Sequence, residues 1–256
     1  MFSCIDFRRG NGRRADCPPP ARNSTHTDTV LERRTWQRQA ALLLGVWGAL
    51  SALVVGVGHA ITGPLRASIN PPDNDLARWF AGTRSTSRSQ LADIGTLLGD
   101  TLTVVAVTVA LALGLWVWRR EARPVAFVAT TMAGVGALYL LAVTLEPRPR
   151  PPVPILDPGL VPTHSFPSGH VGASTALYGL AVVLVWTFAR RGRWWVVPLL
   201  LIPLLVAVAR LYEGAHHLSD VLISLLYASA WLAATTTVLL GDRWRRADRV
   251  RGGPLG

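Results

Sequence analysis

The stretch SFPSGHVGASTALYGLAVVLVWTF, residues 165–188, joins a short polar string to an apolar run without acidic residues, lysine or arginine. The run from Gly169 to Phe188 has about the 20 residues that an α-helix needs to cross a bilayer. Five further apolar segments have similar lengths, at approximately 40–62, 97–118, 124–145, 194–212 and 218–240. The sequence therefore predicts an all-α integral membrane protein built as a six-helix bundle.

The composition supports a membrane protein. Of 256 residues, 50% are hydrophobic and only 16% are charged, and the mean hydropathy is +0.32. Soluble domains have roughly 25% charged residues. A soluble protein with a very large core is the alternative, and the long charge-free runs argue against it.

The six segments divide the chain into three parts. Residues 1–38 are rich in Arg, Pro, Asn and Thr and show no helical period, which predicts a disordered, basic, cytoplasmic tail. Residues 39–241 form the transmembrane domain, and residues 242–256 form a cytoplasmic C-terminal tail. Cys4 and Cys17 both lie in the first tail, where free thiols are favoured over a disulfide framework.

The arginines predict the orientation in the membrane. All 26 cationic residues are Arg, and 19 of them lie in the two tails and in the loops 119–123 and 190–193. The positive-inside rule places this richer side, with both termini, in the cytoplasm. The net charge of +11 is thus explained by topology, and no nucleic-acid partner is predicted.

Three loops then lie on the extracytoplasmic side, at 63–96, 146–168 and 213–217. In the first, the spacing of Leu76, Trp79 and Phe80 indicates a short interfacial helix. The other two loops border the polar strings that carry the candidate chemistry. We therefore expect this chemistry to lie at one face of the membrane.

The first string is Pro167-Ser168-Gly169-His170, directly before the fourth apolar segment. Serine is a good helix N-cap, and glycine allows a ligand to approach the backbone closely. Because a helix N-terminus binds phosphate, His170 is placed to donate a proton to a bound phosphate ester. The alternative is a capped helix start with an incidental histidine.

The second string is Arg210-x5-His216-x3-Asp220. His216 and Asp220 share a helix face at i, i+4, and a carboxylate behind an imidazole makes a good nucleophile or base. Arg210 would clamp phosphate oxygens. The alternative is an interfacial His–Asp pair with a snorkelling arginine. The neighbouring His217 is expected to pack or hydrogen-bond.

A proline-rich stretch, EPRPRPP at 146–152, offers a second source of arginine. The prolines hold it extended and restrict the directions of Arg148 and Arg150. A stiff, solvated loop is the alternative interpretation. Asp100 is expected at a helix end and Glu213 in a turn, and neither receives a catalytic role.

The two strings resemble the second and third signatures of the type 2 phosphatidic acid phosphatase (PAP2) superfamily, whose soluble relatives include vanadium haloperoxidases. The family patterns are P-S-G-H and S-R-x5-H-x3-D, and Ala209 stands at the initial serine of the latter. The first family pattern, K-x6-R-P, lacks its lysine, because Val143 or Leu141 occupies that position in the two possible registers. The resemblance covers roughly residues 40–240.

The resemblance implies a role for each matching residue. His216 attacks phosphorus to give a phosphohistidine, Asp220 supports it, and His170 protonates the leaving oxygen. The equatorial oxygens are held by Arg150, Arg210, Ser168 and the amide of Gly169. We add Arg148 as the candidate substitute for the lysine, since an arginine fork can hold two oxygens. No metal or other cofactor is implied.

The predicted function is a multi-pass cell-membrane phosphatase that hydrolyses a lipid phosphate or diphosphate, of polyprenyl diphosphate or phosphatidate type, at the extracytoplasmic face. Its predicted partners are the lipid phosphate substrate and membrane lipids, and its oligomeric state is open. Alternatives are a phosphotransferase to an alcohol and a family member that binds lipid phosphate without turnover. A transporter is disfavoured, because the polar residues cluster at one membrane edge.

Overall fold

The computed structural model describes residues 24–189 and 192–251, with side chains described for 35–189 and 192–241. Within these ranges the regular elements are helices, and an isolated bridge pairs Arg148 with His164. The α-helices are α1 (Ser24–Thr62), α2 (Arg66–Gly82), α3 (Thr86–Leu97), α4 (Thr101–Arg119), α5 (Ala122–Leu145), α6 (Gly169–Phe188), α7 (Ile202–Tyr212) and α8 (Leu218–Arg251). A 3-10 helix, Arg193–Leu201, leads into α7.

Six spans in the described residues are long and apolar enough to cross a membrane, as predicted. The second of them combines α3 and α4, over Thr86–Arg119, and begins earlier than the apolar run itself. The two helices meet at Asp100, which caps α4 by accepting a hydrogen bond from the Leu102 amide at 2.9 Å. The expectation of a helix-end role for Asp100 is confirmed.

The chain divides into two compact units, 1–38 and 39–256. Residues 1–23, with both cysteines, lie outside the described residues. The helix α1 begins at Ser24, inside the segment predicted to be a disordered tail, and α8 continues to Arg251, inside the predicted C-terminal tail. Helical residues therefore extend into the inner ends of both predicted tails. Once an apolar run has formed a helix, adding polar residues at its end needs no new nucleus.

The helix α6 lies at the centre of the bundle and packs against α5, α7 and α8. Its buried face includes Val171, Ala176 and Leu180. Glycines allow the close approach to α8: a Cβ on Gly172 would lie 2.3 Å from the Tyr227 hydroxyl oxygen. Tight packing thus fixes the helix whose N-terminus carries the string Pro167–His170.

The region predicted as an outer loop contains two helices. The predicted helix near Trp79 and Phe80 is α2, and α3 follows it without having been predicted. The helix α2 packs against α7 and α8, and α3 packs against α7. Both helices therefore adjoin the turn 213–217, where the second polar string lies.

Candidate active site

A cavity of about 440 Å³ brings together five of the predicted site residues. It is lined by Arg150, Gly169, His170, Arg210 and His216. The rest of its wall is largely apolar and comes from α4 and α5, and it includes Val104, Val109, Met132, Val135 and Leu140. Residues distant in sequence thus meet in one pocket with a polar end and apolar sides.

His216 lies in the turn between α7 and α8. Its Nδ1 is 2.7 Å from the backbone oxygen of Ser165, which can only accept a hydrogen bond. Nδ1 therefore carries the proton, and Nε2 is left as a base or nucleophile. Burial and the nearby charge of Arg210 hold the pKa of His216 well below the usual 6.5, so the ring is neutral at neutral pH.

The carboxylate of Asp220 forms hydrogen bonds with Ser165 and His217. Its Oδ2 accepts hydrogen bonds from the Ser165 hydroxyl at 2.6 Å and from the His217 amide at 2.9 Å. The predicted support of His216 by Asp220 is indirect in the structure, because the Ser165 carbonyl oxygen accepts the hydrogen bond from His216 Nδ1. Asp220 instead holds Ser165, and Ser165 holds the ring of His216.

The structure places Arg148, the candidate substitute for the family lysine, away from the predicted phosphate site. Its guanidinium is buried and lies outside the lining of the 440 Å³ cavity. Nη1 donates to Ser219 Oγ at 2.7 Å and to Asp220 Oδ1, and Nη2 donates to Asn70 Oδ1 at 3.0 Å and to Asp73 Oδ2 at 2.9 Å. Because both terminal nitrogens are engaged by protein oxygens, Arg148 is structural here.

Arg210 is fully buried, and its contacts leave two nitrogens free. Nη1 donates to Asp157 at 2.8 Å and to Glu213 at 2.7 Å. Nε and Nη2 have no hydrogen-bond partner among the described residues, and neither has the hydroxyl of Ser168. Buried donors are normally satisfied, so such a group beside a pocket indicates an absent partner.

Arg150 is positioned by backbone carbonyls. Its Nε donates to Val161 O at 2.9 Å, and its Nη1 donates to Ala215 O. Burial and the charge of Arg210 lower the pKa of Arg150. A bound anion would relieve this repulsion between two neighbouring guanidinium groups.

The N-terminus of α6 supplies further donors at the same cavity. Ser168 is the N-cap residue, yet its side chain makes no capping hydrogen bond and so stays available. A Cβ on Gly169 would lie 3.1 Å from the ring of Tyr139, so glycine permits this close contact. Helix N-termini bind phosphate through their free amides.

Several residues of the site were not identified from the sequence. Ser165 orients the predicted nucleophile, Asp73 and Asn70 of α2 bind Arg148, and Tyr139 lines the cavity. The polar string Asn70-Pro71-Pro72-Asp73-Asn74 was the available signal for α2, but nothing in it indicated a partner. His217 behaves as expected, with Nδ1 3.3 Å from Asp220 Oδ2.

The model of the PAP2 superfamily matches residues 124–244. This part of the chain belongs to the PAP2 superfamily. The match contains both polar strings and the proline-rich stretch, so the predicted family is confirmed.

A solved structure is similar to most of the chain. It is a transmembrane PAP2 type phosphatidylglycerolphosphate phosphatase from Bacillus subtilis, with a TM-score of 0.60 and 21% identity, over 80% of this chain and 95% of that one. The predicted all-α membrane fold is confirmed. The curated proteins contain no match.

Membership in the PAP2 superfamily confirms the predicted enzyme class at the level of the family, a hydrolase acting on phosphoric esters. The roles of individual residues in this PAP2 domain stay predictions. The position of the family lysine holds Val143, which is buried, or Leu141. Tyr139 lies one turn before Val143 on α5 and lines the cavity.

Proposed function

We propose that the protein is a metal-independent membrane phosphatase that hydrolyses a lipid phosphate or diphosphate through a phosphohistidine at His216. One observation carries this proposal. Arg210, whose buried Nε and Nη2 have no partner among the described residues, lines the polar end of a cavity together with the two histidines, and the other walls of the cavity are apolar. An anionic group attached to an apolar chain matches both ends.

The first chemical step follows from the state of His216. The neutral Nε2 attacks phosphorus, a P–N bond forms, and the bond from phosphorus to the lipid oxygen breaks. His170 gives its proton to that leaving oxygen. The arginines Arg150 and Arg210 stabilise the charge on the equatorial oxygens, which is the main requirement in phosphoryl transfer.

The second step regenerates the enzyme. Water attacks the phosphohistidine, His170 takes a proton from the water, and the P–N bond breaks to release inorganic phosphate and neutral His216. The same histidine acts as acid and then as base, as microscopic reversibility requires of one group serving both steps.

The apolar walls favour a lipid substrate over a soluble one. The lining residues of α4 run from Thr101 to Val109, which is a rise of about 12 Å along a helix axis. This depth holds the first part of an acyl or prenyl chain. The polar end lies at the ends of α5 and α7 and the start of α6, which the arginine distribution assigns to the extracytoplasmic side.

The test is an assay of the purified protein in detergent with a metal chelator. The substrates are dioctanoyl phosphatidic acid, farnesyl diphosphate and a phosphatidylglycerolphosphate, the last because the similar structure is named for it. We expect release of inorganic phosphate without an added alcohol. Phosphate transfer only to an alcohol would indicate a phosphotransferase, and binding without turnover would indicate a lipid-phosphate-binding protein.

Two variants test the nucleophile. His216→Ala should abolish both turnover and the base-stable, acid-labile phosphoenzyme, while His217→Ala should still form the phosphoenzyme. His59→Ala, an exposed histidine, is the control for effects of histidine loss in general. The opposite result for the first two variants would assign the nucleophile to His217.

A further inference from the structure

The helix α2 lies outside the six spans and before the residues that match the superfamily, yet it carries a buried acid. Asp73 is only 6% exposed. Its Oδ2 accepts hydrogen bonds from Arg148 Nη2 at 2.9 Å and from the Ser219 hydroxyl. The helix α2 thus contacts the start of α8 directly, where Asp220 lies.

A continuous chain of contacts leads from Asp73 to His216. Arg148 links Asp73 to Asp220, since its two terminal nitrogens bind one carboxylate each. Asp220 accepts a hydrogen bond from the hydroxyl of Ser165, whose carbonyl oxygen accepts one from His216 Nδ1. The backbone amide of Ser165 also donates to the carbonyl of Arg148 at 3.1 Å.

We propose that Asp73 is a positioning residue for the nucleophile, acting through Arg148, Asp220 and Ser165 to hold the ring of His216. The proposal rests on the function proposed above. Arg148 keeps its orientation because two carboxylates and two neutral oxygens occupy its donors. Without the charge of Asp73, the guanidinium and the Asp220 carboxylate can shift together, and the Ser165 carbonyl follows.

A small shift at Ser165 is sufficient to affect the reaction. A misplacement of about 1 Å in a reacting group can lower a rate on the order of 100-fold. The groups that bind the phosphate are arranged separately, since Arg150 and Arg210 are held by Ala215, Asp157 and other partners. Loss of Asp73 should therefore slow the attack by His216 and leave anion binding intact.

The experiment compares Asp73→Asn with the wild type and with Asp75→Asn. Asp75 is on the same helix, its side chain is 72% exposed, and it pairs only locally with Arg78, so it is a matched control. With dioctanoyl phosphatidic acid, we expect kcat of Asp73→Asn to fall on the order of 100-fold, with KM within about twofold of the wild type. Asp75→Asn should match the wild type.

Two inhibitors separate positioning from a general structural effect. Orthovanadate imitates the transition state by bonding to the nucleophile, whereas sulfate needs only the anion-binding groups. For Asp73→Asn we expect a vanadate Ki raised about as much as kcat falls, and an unchanged sulfate Ki. Equal weakening of both inhibitors, or normal kinetics, would overturn the proposal.

A second variant and a second readout cover other outcomes. If Asp73→Asn is not monodisperse after purification, Ser219→Ala replaces it. This variant removes the hydrogen bond that Ser219 accepts from Arg148 and the one that its hydroxyl donates to Asp73. We then expect a smaller but equally selective loss of kcat and of vanadate affinity. If the wild type hydrolyses no substrate, the proposed function fails. Vanadate and sulfate affinities measured by direct titration then still test the positioning of His216.

Discussion

Arg150 enters the cavity with its guanidinium held by two backbone carbonyls and by no carboxylate in the described part of the chain. Its charge is therefore available to a phosphate. Arg150→Ala should remove about 2–4 kcal/mol of transition-state stabilisation, as loss of single transition-state donors does, and kcat/KM should fall by the corresponding factor. Steady-state kinetics check this, with Arg88→Ala as the control, since Arg88 is exposed and bonds to the Thr83 carbonyl. A near-normal Arg150→Ala enzyme would remove this loop from the site.

The pKa of His216 predicts how phosphoenzyme formation depends on pH. Burial and the charge of Arg210 lower this pKa well below 6.5, so protonation of the nucleophile begins only at lower pH. The rate of phosphoenzyme formation should show no loss of the nucleophile from neutral pH down through 6.5, after correction for the ionisation of the substrate near pH 6 and for the protonation of the proton donor His170. Rapid mixing with a base quench measures it. A tenfold fall per pH unit starting at 6.5 would mean that His216 titrates like an exposed histidine.

The predicted site residues that the structure brings into one cavity belong to short strings in which spacing alone carries the information. The residues Arg210, His216 and His170 reach one cavity because each lies at a helix end on the same side of the bundle. The contact of His216 with Ser165 joins residues 51 apart and uses a backbone oxygen, which no residue pattern reveals. The partners of Arg148 were hidden for the same reason, because Asp73 is 75 residues away in α2 and no residue pattern connects the two.

At the level of elements, the contact between α6 and α8 sets the position of the N-terminus of α6. A Cβ at Gly172 would lie 2.3 Å from the hydroxyl oxygen of Tyr227, which is buried and has no hydrogen-bond partner in the described residues. Gly172→Ala should therefore destabilise the protein by about 1–3 kcal/mol through overpacking. Thermal unfolding in detergent measures the effect.

The control for this contact is Tyr227→Phe, which removes the obstructing hydroxyl. Since a buried hydroxyl without a partner costs free energy, this variant should be as stable as the wild type or more stable. The double variant should recover part of the loss seen with Gly172→Ala. Additive effects of the two substitutions would show that the helices do not meet as described.

The six spans were predictable because bilayer-length apolar runs have few alternatives as helices. The helix α3 was missed because its sequence, TSRSQLADIGTL, mixes polar and apolar residues and precedes a stronger apolar run. It packs against α7, and local hydropathy does not reveal a contact between residues so distant in sequence. The same limit explains why the polar ends of α1 and α8 were assigned to tails.

At the scale of the whole molecule, the 19 arginines on one side predict that both termini are cytoplasmic and that the cavity opens to the outer side. A green fluorescent protein fused after Gly256 should fluoresce, and alkaline phosphatase at the same point should be inactive. A reporter inserted after Gly82, between α2 and α3, should show the reverse pattern. An outer signal at Gly256 would place the active site on the cytoplasmic side.

The two buried arginines Arg148 and Arg210 are each bound by a pair of carboxylates, Asp73 with Asp220 and Asp157 with Glu213. Their charges are thus largely compensated, and Arg150 alone adds a positive charge without a carboxylate of its own. Burial moreover raises the pKa of Glu213, so part of this compensation depends on pH. Because these charges are compensated, we expect the empty pocket to attract free anions only weakly at long range. Under the proposed function, occupancy of the pocket then depends on delivery by the apolar tail of the substrate.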